Sequence, residues 1–164
     1  MGDDTTTTEN PTLQRDDFMT RVESVLDPAY RLATVILLDY AAAEDVVHGA
    51  TVRAWGRYRT IHGEVTSFRT WFLRIVAEHS RHRAWWRRVA LRGSDIGRVG
   101  GPRDIVGDLP LASRATLFCR VSLGLPDDEV ARILGTSPIR VRSRIFRARE
   151  RVTAELDRRE EDEA

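Results

Sequence analysis

The tightest constraint on this chain lies between Pro126 and Leu156, where two helical patterns are joined by Gly135, Thr136 and Ser137 alone. Pro126 opens the first pattern, and Asp127, Asp128 and Glu129 put negative charge at its start, where the helix dipole favours it. Val130, Ile133 and Leu134 form its apolar stripe. Gly135 suits the left-handed position that ends a helix. Ser137 can cap the next helix and Pro138 can take its first position. Two helices joined by so short a turn cross steeply, which is the helix-turn-helix unit.

The second helix reads as a wheel. Val141, Ile145, Ala148, Val152 and Leu156 recur at helical spacing and predict the face turned to the core. The opposite arc holds Ile139, Arg140, Ser143 and Arg147, flanked by Arg142 and Arg144. Residues 138–151 carry six arginines and one acid. An exposed face of this kind fits the major groove of DNA, where arginine pairs two donors with guanine and others hold phosphates. A merely solvated helix would mix signs for i,i+4 ion pairs.

Upstream, the pattern is also helical. Helices are expected over about 13–26, 28–40, 42–58, 67–90 and 110–123, with Asp27 and Ser67 as caps. Leu13, Phe18, Val22 and Val25 should share a buried face, as should Phe68, Trp71, Phe72, Ile75 and Val76. Residues 59–66 read as a loop. Five of the 11 glycines fall in 91–108, which reads as a flexible linker. The expected fold is therefore all-α. A disordered tail (1–12) precedes a helical bundle (13–90); after the linker (91–108) come a helix-turn-helix domain (109–158) and an acidic tail (159–164).

Charge is segregated along the chain. The net formal charge is +1, yet residues 1–50 hold 3 arginines and 10 acids, and residues 51–103 hold 12 arginines and 3 acids. All 26 basic residues other than histidine are arginine. Such patches, more than the total, govern encounters with nucleic acid. No apolar run approaches the roughly 20 residues of a membrane span. The start MGDDTTTTENP is acidic and polar, unlike a secretion signal. The expected compartment is the cytoplasm.

Other constellations point to no chemistry. Glu78, His79 and His82, with His48, do not have the spacing of a zinc helix. Cys119, the single cysteine, lies in an apolar helix and reads as a core thiol. No nucleophile–base pair or phosphate-cradling glycine loop is present in the sequence, so neither catalysis nor a metal or cofactor is expected.

Three further segments narrow the reading. AEDVVHGATVRAWGRY (43–58) and FRTWFLRIVAEHSRHR (68–83) resemble consecutive segments of the second domain of bacterial sigma factors. Residues 109–152, above all VRSRIFRAR, resemble the fourth sigma domain. In order and extent the chain is similar to an extracytoplasmic-function sigma factor over nearly all of 16–158. It departs from the family at His48 and Gly49, where glutamine and an acid are usual, and at Glu78 and His82, where asparagine and aspartate are common.

The resemblance implies a sigma-2-like domain that binds core RNA polymerase and melts the minus-ten element, and a sigma-4-like domain that reads the minus-thirty-five element. Their contacts would be the clamp of the largest polymerase subunit and the flap of the second. It implies polymerase contact through Glu44, Asp45, His48, Thr51, Val52 and Arg53. Minus-ten contact would come from Arg59, Arg69, Arg81, Arg83, Arg87 and Arg88, and minus-thirty-five contact from Arg140, Arg142, Ser143, Arg144 and Arg147. It implies an anti-sigma factor as a further partner. Of Trp85 and Trp86, one is expected to pack and the other to face DNA or polymerase. Two other readings remain: a helix-turn-helix regulator acting without polymerase, typically as a dimer on a palindrome, and a degenerate sigma-like interaction module.

Overall fold

A computed structural model describes residues 11–60, 67–90 and 107–163. The tail 1–10, the loop 61–66 and the linker segment 91–106 lie outside the described residues. Helices dominate: α1 (Pro11–Glu23), α2 (Leu26–Leu37), α3 (Tyr40–Tyr58), α4 (Phe68–Ala90), α5 (Leu111–Leu117), α6 (Asp127–Leu134) and α7 (Pro138–Glu163). A π-helical turn, Phe118–Ser122, extends α5. The described residues contain no strand, in keeping with the all-α expectation.

Local chemistry accounts for most boundaries. Ser67 caps α4, its hydroxyl accepting from the Thr70 N–H at 3.3 Å. Asp39 caps α3, accepting from Ala42 N–H at 3.0 Å, so that helix begins earlier than the apolar pattern suggests. Asp27 does not cap α2. It sits within the first turn and faces Arg31 at 3.7 Å, because the helix already starts at Leu26. Leu38 closes α2 in the left-handed region (φ 54°), its N–H donating to Thr34 O at 2.7 Å.

Several expectations are displaced. α1 starts at Pro11, inside the segment read as a tail, and ends at Glu23. Leu13 lies outside the core, whereas Phe18, Val22 and Val25 are buried. α7 runs on through the acidic residues to Glu163. Its later turns contain no glycine or proline to stop it, and Arg158 pairs with Glu155 at 3.0 Å. Leu156, expected in the core, is 47% exposed because α7 has by then outrun the helices it packs on. The helix expected over 110–123 becomes α5 and the π turn, which buries both Phe118 and Cys119.

One apolar core joins the two halves. Phe18, Leu32, Ile36, Phe72 and Leu73 from α1, α2 and α4 are continuous with Phe118, Cys119, Val130, Ile133 and Val141 from the C-terminal half. α4 packs on α2 and α3 and also against α6, while α2 packs against α5.

Arginines reinforce this contact in both directions. The last carbonyls of a helix have no partner within it. Buried Arg114 donates to Val35 O (2.9 Å) and Ile36 O (3.1 Å) at the end of α2, and also to Gly107 O and Leu109 O. Arg81 of α4 donates to Leu134 O at the end of α6, at 2.6 Å. Each half thus caps a helix of the other. Thr70 adds a hydroxyl bond to the Glu129 carboxylate, and Arg31 lies 5.5 Å from the Phe118 ring centre.

Candidate nucleic-acid interface

The helix-turn-helix has the geometry its turn residues predict. Gly135 is left-handed (φ 58°, ψ 49°), and its N–H donates to Ala131 O. The Thr136 N–H donates to the same carbonyl at 2.9 Å. The Ser137 hydroxyl accepts from Arg140 N–H at 3.4 Å, and its carbonyl from Val141 N–H at 3.0 Å. Pro126 flanks α6 in extended backbone, so the helix proper begins at Asp127.

Val141 and Ala148 are buried and Ile145 half-buried, which orients α7 as the wheel requires. Arg140, Arg142, Ser143 and Arg147 are exposed, while Arg144 is half-buried. Burial, and then the neighbouring charges of Arg140, Arg81 and Arg147, lower the pKa of Arg144. So α7 and α4 bring arginines close together across the junction of the halves. Phe146 belongs to the same surface and was not singled out by the arginine pattern. It is 63% exposed and, with Arg142, Ser143 and Arg147, lines a shallow hollow of about 480 Å³. A large apolar residue left in water on a basic helix face was the available signal.

The basic residues of the N-terminal half are dispersed. Arg59 is exposed, 6.0 Å from the Trp55 ring centre. Arg69 is exposed and close enough to Cys119 to act on its titration. Arg81 is half-buried on Leu134 O. Arg83 and Arg87 are exposed but reach Asp45 (3.9 Å) and Asp39 (3.1 Å). The Arg88 side chain lies outside the described residues. Phe68 and Trp71 join Phe18, Trp55 and Tyr58 in an aromatic cluster and are partly buried; Phe72 is buried. These three rings serve the core, as expected. Trp85 and Trp86 do not divide into one packed and one free ring; both are about half exposed.

On α3, Glu44, Asp45, His48, Val52 and Arg53 form an exposed face. Thr51 is half-buried, and its hydroxyl donates to Val47 O at 2.9 Å.

The departures in sequence acquire local reasons. Gly49 lies under His79: a Cβ there would sit 2.9 Å from His79 Cε1. Glu78 is paired with Arg74 at 3.0 Å. His82 Nε2 accepts from the Trp86 indole N–H at 2.9 Å. No group of three or more potential metal ligands occurs among the described residues, and none of the helices described there is long and apolar enough to cross a membrane.

Comparison with known proteins finds a family match in the first half of the chain. Residues 21–90 match the family described as Sigma-70 region 2. A probable RNA polymerase sigma factor RfaY from Xanthomonas campestris pv. campestris is 30% identical over 149 residues, 76% of this chain and 36% of that protein. The chain therefore spans about a third of that curated relative's length. Two solved structures share the fold. The sigma factor RpoE, in complex with the anti-sigma factor NepR from Bartonella quintana, matches with a TM-score of 0.72 at 20% identity, over 86% of this chain and 97% of that one. CnrH, in complex with the cytosolic domain of CnrY, matches with a TM-score of 0.66 at 26% identity, over 87% of this chain and 89% of that one. Residues 21–90 thus carry a Sigma-70 region 2, a helix-turn-helix follows in the second half, and over most of its length the chain is similar in sequence or fold to sigma factors.

Proposed function

We propose that this protein binds core RNA polymerase and directs it to a defined set of promoters, acting in the cytoplasm without catalysing a reaction itself. The observation that carries this reading is the exposed arginine face of α7, held by a geometrically complete turn, in a chain whose other half is a sigma-70 region 2. In this reading Arg140, Arg142, Ser143, Arg144 and Arg147 contact the minus-thirty-five duplex, with Phe146 adding apolar contact beside them. Arginine forks supply guanine and phosphate contacts there. Arg59, Arg69, Arg81, Arg83, Arg87 and Arg88 serve the minus-ten region, where unpaired bases must be held against a basic surface. Arg81 becomes available only when it leaves Leu134 O.

The exposed face of α3 is the docking surface for the polymerase clamp, and the helix-turn-helix half meets the flap. Val52 is apolar and solvent-exposed beside Arg53 and His48, a composition suited to the centre of a protein interface. An anti-sigma factor is the second partner proposed, since the solved relative RpoE was captured with such a protein, NepR, and CnrH with the cytosolic domain of CnrY.

Association with core polymerase tests the docking assignment. On size-exclusion chromatography the full chain should co-elute with core enzyme. The Val52→Glu, Arg53→Glu double variant should bind at least about tenfold more weakly while keeping its helical circular dichroism. Undiminished binding by that variant would move the docking surface elsewhere.

A further inference from the structure

The outward side of α7 carries its charge in two blocks. Val141 and Ala148 are buried and fix the inward side of the helix. Opposite them, an arc of about 100° at roughly 100° per residue holds Ile139, Arg142, Phe146 and Arg149, and then Glu150, Thr153, Asp157 and Glu160. All of these are exposed. The sign changes between Arg149 and Glu150. Ion pairs at i,i+4 are the ordinary use of charge on a helix surface. Yet Arg142, Arg149, Glu150 and Asp157 enter no ion pair among the described residues.

Apolar surface lies on the same arc. Ile139 and Phe146 both stand largely in water. Next to Phe146, the small side chains of Thr153 and Ala154 leave a hollow of about 440 Å³, bordered by Arg149, Glu150 and Asp157.

The two blocks cannot meet within one molecule. α7 is continuous from Pro138 to Glu163, so its ends point apart, about 40 Å from one another at roughly 1.5 Å per residue. A DNA duplex would attract the first block and repel the second. The surface that matches both is a helix with the blocks in reverse order, which is a second α7 laid antiparallel. A two-fold interface needs a surface complementary to itself, and this arc has that property. With the axis between Arg149 and Glu150, Arg149 meets the partner's Glu150 and Arg142 meets the partner's Asp157. Phe146 then lies over the partner's Thr153, in the hollow beside it. Each contact occurs twice.

We infer that this protein forms a homodimer through antiparallel pairing of α7, the basic half of each helix lying against the acidic half of the other. The pairing does not rest on the sigma reading. It covers Arg142, Ser143 and Phe146, so a paired chain withholds that face from DNA. Each helix brings only two large apolar side chains to the contact, so the dimer forms at about tens of micromolar protein and separates on dilution.

Sedimentation equilibrium of the full chain at about 100 μM in low salt tests the pairing. The wild type should approach twice 18.7 kDa. It should return to the monomer mass in about 1 M salt, where exposed charges are screened. Arg142→Glu alone, and Asp157→Arg alone, set like charges against each other at both ends of the pair. Each should weaken association at least about tenfold. Mixing the two variants one to one should restore the dimer, because each chain then meets the opposite charge at both ends. Parallel pairing, or contact through another surface, would give no such rescue. Circular dichroism should be unchanged, since both side chains are exposed. A wild type that stays monomeric in low salt would overturn the inference. So would single variants that dimerise like the wild type, or a mixture that stays monomeric.

Discussion

Arg114 is the residue on which the contact between the halves most depends. Its guanidinium is buried, and burial pulls its pKa down, yet four backbone carbonyls accept from it. Arg114→Met keeps the bulk and strands those carbonyls. It should lower unfolding stability by about 2–4 kcal/mol, read from urea denaturation. Cys119 makes a prediction of the opposite kind. Burial pushes its thiol up from 9.0 to about 12, so folding favours the protonated form. The sign follows: its contribution to stability is complete below about pH 9 and is lost as pH rises towards about 12. Alkylation by iodoacetamide at mildly alkaline pH should be at least about a hundredfold slower in the folded chain than in urea. The core character of Cys119 was legible in the sequence, because its neighbours are apolar. Arg114 was not. Its partners on α2 lie 78 and 79 positions away, and no local pattern brings a lone arginine to a distant helix end. Gly49 was legible only as an anomaly, until His79 was found packed over it.

At the scale of elements, turn chemistry proved more informative than apolar periodicity. Gly135, Ser137 and Pro138 act only through their immediate neighbours, so residue type alone locates the turn. Gly135→Ala forces a Cβ into left-handed backbone and should cost about 1–2 kcal/mol, measured as a lower urea midpoint. The same variant should weaken duplex binding, since the entry angle of α7 is set there. Retained stability with intact duplex binding would show that the turn does not orient the helix. Periodicity failed where tertiary surroundings end. Leu13 and Leu156 continue their apolar stripes past the point where another helix can cover them. Acidic composition likewise suggested a tail where α7 continues, because composition reports solvation and not helicity. The capping role of Asp39 was missed for a related reason: the alanines that follow it carry little apolar signal.

For the whole molecule, the packed arrangement sets a geometric condition on function. Minus-ten and minus-thirty-five elements, about 25 base pairs apart, lie roughly 80 Å apart along a duplex at about 3.4 Å per step. A chain of this length, packed as one body, is about 40 Å across. Reading both elements at once therefore requires the halves to part, releasing Arg81 and Arg114 from the helix ends they cap. Dyes on cysteines introduced at the exposed positions Thr20 and Thr153 should show efficient energy transfer in the free protein. That transfer should fall on addition of core polymerase. The glycine-rich stretch and the change in pattern divide the sequence into two helical patterns. The contact between them was not readable there, since it rests on pairings between the ends of distant helices. The proposed role stands or falls on transcription in vitro with purified core polymerase and fragmented genomic DNA, followed by mapping of RNA 5′ ends. Initiation that depends on this chain, at sites sharing two upstream elements, and that is lost in the Arg140→Ala, Arg147→Ala variant, is the predicted result. No association with core polymerase and no chain-dependent transcript would contradict it.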